Sequence, residues 1–256
     1  HATIRRQRQM CIRDRLDAGL MHADAKTCFG NGFGDFCQEP TLIDGQIEWR
    51  SAAATSLNPE ILTTPAMPFA PNGGVKLLQG NLGRSVIKTS AVQEQHHIVE
   101  APAVVIDDQD DLKPLFEAGE LDKDCVVVVR FQGPAANGMP ELHKLTPMLG
   151  VLQDRGHKVA LVTDGRMSGA SGKVPAAIHL VPEASQGGPL GKIQTGDVIR
   201  LDATTGELSA HIDETELKSR TEAQAPNVPG TVGRGLFSNN RLAISSAEEG
   251  ASSLFI

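Results

Sequence analysis

Val126-Val-Val-Val-Arg-Phe131 and Lys158-Val-Ala-Leu-Val-Thr163 are apolar runs, and each leads directly into a glycine-rich loop. The loops are Gly133-Pro-Ala-Ala-Asn-Gly-Met-Pro-Glu141 and Thr163-Asp-Gly-Arg-Met-Ser-Gly-Ala-Ser-Gly-Lys173. Runs of this length bounded by turn residues read as strands. Between them Thr146 can cap a helix, Pro147 suits its first turn, and Leu149 and Leu152 recur at i, i+3. Strand, helix and strand over this length predict a βαβ unit with a right-handed crossover. Both loops then leave the carboxyl ends of neighbouring parallel strands, the edge at which open α/β sheets bind ligands. Glu141 and Ser168 are therefore expected to face one cleft.

Working outward, Ala103-Val-Val-Ile106 reads as a further strand. Asp110 to Ala118 reads as a short helix with Leu112, Leu115 and Phe116 on one face, ending at Gly119. These two and the strand at Val126 make a second βαβ unit that shares a strand with the first. Gly74–Leu78 and Ser85–Thr89 are short strands around the turn Gly80–Gly83. After Ala176–Val181 and Gly187-Gly188, the alternating Asp197–Asp202 turns at Ala203–Gly206 and returns through Leu208 to Ile212, a β-hairpin. Asp213–Ala223 is helix-prone, and the tail from Pro226 is rich in Gly, Ser and Asn. Residues 73–256 thus read as one α/β domain.

The upstream residues differ. Leu16–Leu20 looks like a helix end, followed by a loop with Gly30, Gly32 and Gly34. Four prolines between Ser51 and Pro71 suggest a linker or an arm. Residues 1–15 hold five arginines without a sustained amphipathic period. The run Arg5–Arg15 resembles translated sequencing-adapter DNA, and the chain starts with His, so this segment is expected to be non-native or disordered and to stand outside the fold. The natural protein is then expected to extend further on the N-terminal side.

Composition excludes several roles. A formal net charge of -7 gives no electrostatic support for nucleic-acid binding. No apolar run approaches the ~20 residues of a membrane helix, and no signal-peptide core is present. Cys11, Cys28, Cys37 and Cys125 follow no zinc spacing and are too few for a disulfide framework, which points to a reducing, cytoplasmic compartment. With 40% hydrophobic residues and no tyrosine, the core is expected to be aliphatic.

The chemistry resides in the two loops. Glu141, after Met139-Pro140, is either a first-turn helix carboxylate favoured by the dipole or an oxygen ligand for a hard cation. Ser168, among Gly165, Gly169 and Gly172, sits where backbone N–H groups can approach an anion. The G-x-x-x-x-G-K-[ST] spacing fails, and G-x-S-x-G fits neither Ser168 nor Ser171. The segment is then either a turn with a solvated serine or an activated hydroxyl beside Arg166 and Lys173, whose charge lowers the cost of an alkoxide. His143, His157 and His179 read as surface or packing residues.

At these residues a resemblance becomes specific. Gly133-Pro…Asn-Gly-Met-Pro-Glu-Leu-His-Lys144 and Val162-Thr-Asp-Gly-Arg-Met-Ser-Gly-Ala-Ser-Gly-Lys-Val-Pro175 resemble the dihydroxy-acid/phosphogluconate dehydratase family. Asn81-Leu-Gly-Arg84, Glu100-Ala-Pro102 and Gly187-Gly188 match it as well, from about Leu16 to the C-terminus. Met-Pro-Glu-Leu-His-Lys and Ser-Gly-Lys-Val-Pro resemble its phosphogluconate branch. The resemblance implies a C-terminal swivelling β/β/α, barrel-like domain preceded by the tail of an N-terminal α/β domain (residues 16–72), often in a homodimer. It implies an iron–sulfur hydro-lyase of the Entner–Doudoroff pathway that dehydrates 6-phosphogluconate to 2-dehydro-3-deoxy-6-phosphogluconate. Ser168 matches the family's proposed base and Glu141 its metal-binding glutamate; Arg166, Ser171, Gly172 and Lys173 would contact substrate. A [4Fe–4S] cluster would be held by ligands outside this chain, with Mg²⁺ or Mn²⁺ at Glu141. Lys144, Lys173 and Arg84 are candidates for the substrate phosphate. This chain alone is expected to be inactive. The rival readings are another sugar-acid or dihydroxy-acid dehydratase, or a non-catalytic anion-binding module.

Overall fold

The computed structural model describes residues 2–167, 172–226 and 235–254. The chain divides into two compact units, His1–Asn72 and Gly73–Ile256.

The first unit opens with helix α1 (Ala2–Asp17). Residues 2–15, expected from sequence to stand outside the fold, lie in this helix. Met10 is fully buried, Ser56 Oγ donates to Gln7 Oε1 at 2.9 Å, and the Arg13 guanidinium donates to Ala52 O and Ala53 O at 2.8 and 2.7 Å. Gln7, Met10 and Arg13 are spaced by three and share a helix face. That face is largely polar, so hydrophobic periodicity does not reveal it. Two-residue strands β1 (Lys26–Thr27) and β2 (Gly30–Asn31) follow, then a hairpin of β3 (Gln38–Ile43) and β4 (Gln46–Ser51). Its turn residues Asp44 and Gly45 have φ of 47° and 79°, as a type I′ turn requires. Pro40 pairs with Trp49 and Leu42 with Ile47, which leaves an exposed apolar face on this hairpin. Residues 52–72 hold no helix or strand, in keeping with their prolines.

The second unit is a closed eight-stranded barrel with mixed pairing. Its strands are β5 (Val75–Gly80), β6 (Gly83–Lys88), β7 (Ile98–Ile106), β8 (Cys125–Val129), β9 (Val159–Thr163), β10 (Ala176–Val181), β11 (Val198–Asp202) and β12 (Glu207–Ala210). Around the barrel the order is β10-β6-β5-β12-β11-β7-β8-β9. Strands β7 to β10 run parallel to their neighbours within that group, and the rest of the barrel is antiparallel except for one parallel pair between β12 and β5. Helix α2 (Leu112–Glu117) connects β7 to β8, and α4 (Leu145–Asp154) connects β8 to β9 after a short α3 (Pro134–Asn137). These are the two βαβ units that share a strand.

Alternation explains the two cores. Val126 and Val128 of β8 and Ala160 and Val162 of β9 point into the barrel with Leu78, Ile87, Leu201 and Leu208. Cys125, Val127, Val129, Val159 and Leu161 point outward and are buried beneath Leu112, Leu145, Leu149 and Leu152 of the helices. Strands buried on both faces are continuous apolar runs, which is how they read in sequence. Thr146 is not the cap of α4. The N-cap is Lys144, without a side-chain cap hydrogen bond, and Thr146 falls inside the first turn. The hairpin of β11 and β12 forms as expected, with Asp202 Oδ1 accepting from Thr204 N and Thr205 N at 2.8 and 3.0 Å in its turn. Helix α5 (Glu214–Ser219) follows, capped by Asp213, and α6 (Ser238–Leu242) lies in the tail. No helix among the described residues is long and apolar enough to cross a membrane.

Candidate active site

Strands β8 and β9 pair in parallel from Cys125↔Val159 to Val129↔Thr163, so their loops leave the same end of the barrel. The loops then meet. Glu141 and Arg166 form a single parallel bridge, Leu142 N donates to Arg166 O at 3.0 Å, and Arg166 Nε donates to Met139 O at 2.9 Å. Segments 25 residues apart in sequence thus run side by side at the edge where the βαβ topology put them. Glu141 is half-buried and stands before α4, which begins at Leu145, so the first-turn dipole reading of its carboxylate does not hold. Ser168 and Ser171 lie outside the described residues.

Beneath the bridge, the loops rest on buried polar groups. Asp164, fully buried, accepts from Phe131 N at 3.2 Å, Gln132 N at 2.9 Å and Ala184 N at 3.0 Å. Burial pushes its carboxyl above the ordinary range, against the pull of those amides. Gln132 is also buried; its amide donates to Asp107 O and accepts from Asn137 at the end of α3. Three of the five non-glycine residues with positive φ among those described, Phe131, Met139 and His179, lie in or against these loops. Such backbone conformations cost energy and cluster at functional sites.

His179 was expected to be a surface or packing residue. It lies at an irregularity in the pairing of β10 with β6, and its N–H donates to Gly165 O at 2.9 Å. Burial and the nearby Arg166 charge hold its imidazole below the ordinary range, hence neutral. Nothing in the alternation of Ala176–Val181 announces this, because a break in strand register is set by the partner strand.

The cations divide. Arg166 is exposed beside Glu141, on the loop that continues to Ser168. Lys173 pairs with Asp154 at the last turn of α4, whereas Glu141 precedes the first turn; the ten-residue helix between them is about 15 Å long. Lys144 pairs with Asp110 at 2.6 Å and Arg84 with Glu248 at 3.1 Å. Arg84 is opposite Val181 in the barrel, close to the loop that follows β10. Ion pairs as exposed as these contribute little stability and yield readily to a stronger ligand.

The resemblance implies a metal and an iron–sulfur cluster, and the donor set limits both. No group of three or more His, Cys, Asp or Glu among the described residues could hold a metal ion. Glu141 is one carboxylate, and a hard cation takes about six oxygen ligands. Cys125 is buried in β8 with its thiol pushed up to about 11 by burial, and Cys11, Cys28 and Cys37 are in the first unit. The described residues therefore do not by themselves fit either group.

The two bridged loops carry the motifs that resemble the dihydroxy-acid/phosphogluconate dehydratase family. The chain belongs to it: residues 60–251 match the dihydroxy-acid/6-phosphogluconate dehydratase C-terminal family. It is 55% identical over 244 residues to a phosphogluconate dehydratase of Pseudomonas aeruginosa and 54% identical over 243 residues to that of Escherichia coli K12. Each match covers 94% of this chain and 40% of the relative. A dihydroxy-acid dehydratase of Ignicoccus hospitalis is 33% identical over 243 residues. The chain thus spans about 40% of the length of the curated relatives it matches.

Proposed function

We propose that this chain is the C-terminal part of a 6-phosphogluconate dehydratase, carrying the base for removal of the C2 proton. The observation that carries the reading is the Glu141–Arg166 bridge, which brings the family's two loops to one place. Identities of 55% and 54% to phosphogluconate dehydratases, against 33% to a dihydroxy-acid dehydratase, favour the phosphorylated substrate. On this reading residues 73–256 are the swivelling β/β/α domain and residues 16–72 the tail of an N-terminal α/β domain. That missing domain would hold the [4Fe–4S] cluster and the other ligands of any Mg²⁺ or Mn²⁺ at Glu141, in a cytoplasmic homodimer.

The chain's own part in the chemistry is proton transfer and orientation. Ser168 Oγ takes the C2 proton. The Arg166 guanidinium, two residues earlier in the chain, would lower the cost of the alkoxide and meet the substrate carboxylate. Ser171 and Gly172 complete the contacts to substrate, whereas Lys173, paired with Asp154 at the far end of α4, stays outside them. The C3 hydroxyl leaves as water with one proton, in net the one taken from C2, and the enol that remains tautomerises to 2-dehydro-3-deoxy-6-phosphogluconate. His179, neutral beside Arg166, adds no competing charge.

The test is a dehydration assay on the longer, anaerobically purified protein with 6-phosphogluconate, gluconate and 2,3-dihydroxyisovalerate, and the 256-residue chain as control. Turnover of 6-phosphogluconate alone, with an inactive control, is expected. Preference for an unphosphorylated acid would keep the family and overturn the substrate. Activity of the isolated chain would overturn its dependence on the missing domain. An anion-binding module without catalysis predicts no turnover of any of the three.

A further inference from the structure

We infer that Asp164 and Glu183 are positioning residues: two buried carboxylates that tie the loops following β8, β9 and β10 into one rigid frame and so set the serine loop against the Glu141 loop. The inference deepens the reading above and rests on it for its catalytic consequence.

Asp164 opens the serine loop, directly after the last residue of β9. Its oxygens accept from Phe131 and Gln132 of the β8 loop and from Ala184 of the β10 loop. One side chain thus spans the ends of three adjacent strands, and each backbone donor it takes would otherwise be buried without a partner. Glu183 is 5% exposed and works from the β10 loop in the opposite direction. Its Oε1 accepts from Ala135 N at 2.9 Å, in the first turn of α3. Gly133 makes room for it: a Cβ there would lie 1.7 Å from Glu183 Oε2. From α3 the chain passes through Gly138 and Met139 to Glu141. The connection therefore runs from Glu141 through α3, Glu183 and Ala184 to Asp164, then along the serine loop to Arg166, where the bridge to Glu141 closes the ring.

Holding two buried carboxylates near each other is costly. Burial raises both carboxyls, and the Asp164 charge raises Glu183 further. Stability alone would favour a simpler connection, the more so because Glu183 Oε2 is buried without a hydrogen-bond partner, whereas a frame that fixes a base relative to a bound substrate benefits from rigid, buried acceptors. Neither residue reaches the substrate; both act through the backbone.

The geometry makes an asymmetric prediction. Asp164 uses both oxygens, so in Asp164→Asn the amide nitrogen faces one of the three N–H donors. Glu183 uses one oxygen toward Ala135, and Glu183→Gln retains it. In the longer, cluster-loaded protein, Asp164→Asn is expected to lower kcat for 6-phosphogluconate about 100-fold, as a misplacement near 1 Å can. KM should stay within about threefold. Glu183→Gln should stay within about threefold of wild type, and Glu183→Ala should lose about tenfold. Hydrogen exchange supplies a readout independent of turnover: Asp164→Asn should deprotect the amides of Phe131, Gln132 and Ala184, and Glu183→Ala that of Ala135.

Wild-type kcat and exchange in Asp164→Asn would overturn the inference, as would Glu183→Gln as damaging as Asp164→Asn. If Asp164→Asn does not fold, the Glu183→Gln and Glu183→Ala pair decides, and equal kcat and equal Ala135 protection in the two would overturn it. If the wild-type protein does not dehydrate 6-phosphogluconate, the functional reading falls and the exchange measurements still decide whether the frame exists.

Discussion

The outer face of β8 lies beneath α4, with Cys125, Val127 and Val129 fully buried, whereas across the same barrel the outer face of β5 leaves Val75 60% and Leu77 44% exposed. The contrast extends to charge. In the antiparallel half, Arg200 reaches Glu100 and Glu207 at the surface of the β11–β12 hairpin and the buried Asp202 beneath them, at 2.8–3.2 Å. In the parallel half, Asp164 and Glu183 are buried and accept from backbone amides. Phe131, Met139 and His179, with their positive φ, belong to the parallel half as well. One half gives its buried carboxylate, Asp202, a cation in Arg200. The other buries Asp164 and Glu183 on backbone donors and holds unfavourable backbone beside them, and that is where the proposed chemistry falls.

The largest expected break in this contrast is at the site. Ser168→Ala in the longer protein should lower turnover of 6-phosphogluconate by about 10²–10⁴-fold, the usual contribution of a general base. Substrate affinity measured by equilibrium binding should be unchanged, and unaltered turnover would remove the base assignment.

Packing gives the next. Leu149→Ala, on the buried face of α4, should cost about 2–5 kcal/mol in urea unfolding of the chain. Leu77→Ala, on the exposed face of β5, should stay within about 0.5 kcal/mol. Equal costs would mean that the two halves are not covered differently in solution.

Gly133→Ala sharpens the comparison further. Its new Cβ meets the Glu183 carboxylate rather than a flexible chain end in solvent, so a loss of about 1–3 kcal/mol is expected. Gly150→Ala, in α4, has nothing within 4 Å of the new Cβ. It should be stabilising by about 0.5–1 kcal/mol through helix propensity.

The smallest effect is in pH dependence, and the two halves should differ in sign. Burial raises Asp202, but the Thr205 and Thr204 amides and Arg200 outweigh it, so its carboxyl lies below the ordinary range. The fold favours its charged form. That contribution is present above the ordinary carboxylate pKa and is lost as pH falls through the folded value. Glu183 is the reverse: burial raises it, its protonated form is favoured, and stability declines as pH rises from the ordinary value through the raised one. Unfolding titrations of Asp202→Asn should therefore flatten the acid limb, and those of Glu183→Gln the decline above it. A flattening of the same limb by both would erase the distinction.

Much of this was legible because it is local. Val126–Val129 and Val159–Thr163 read as strands because buried parallel strands are apolar on both faces. Their glycine loops and the topology of βαβ units predict one cleft for Glu141 and Ser168; the structure brings Glu141 to Arg166, and Ser168 lies outside the described residues. One local signal lies apart from these motifs. Asp44-Gly45 between Gln38–Ile43 and Gln46–Ser51 is among the strongest short-range hairpin patterns, yet it sits in a stretch that reads as loop and linker. Helix α1 escaped for another reason, since its inward face includes Gln7 and Arg13 along with Met10.

By itself, then, the sequence determined the parallel strands, the two loops at their ends and the family to which their motifs belong, because strand period and glycine placement are properties of neighbouring residues. Barrel closure, the re-aimed His179 and the roles of Asp164 and Glu183 were decided only in three dimensions. An aspartate after a strand reads as a turn residue until backbone donors from loops some 20 and 32 residues away in the chain arrive around it, and nothing local to Asp164 specifies that they will.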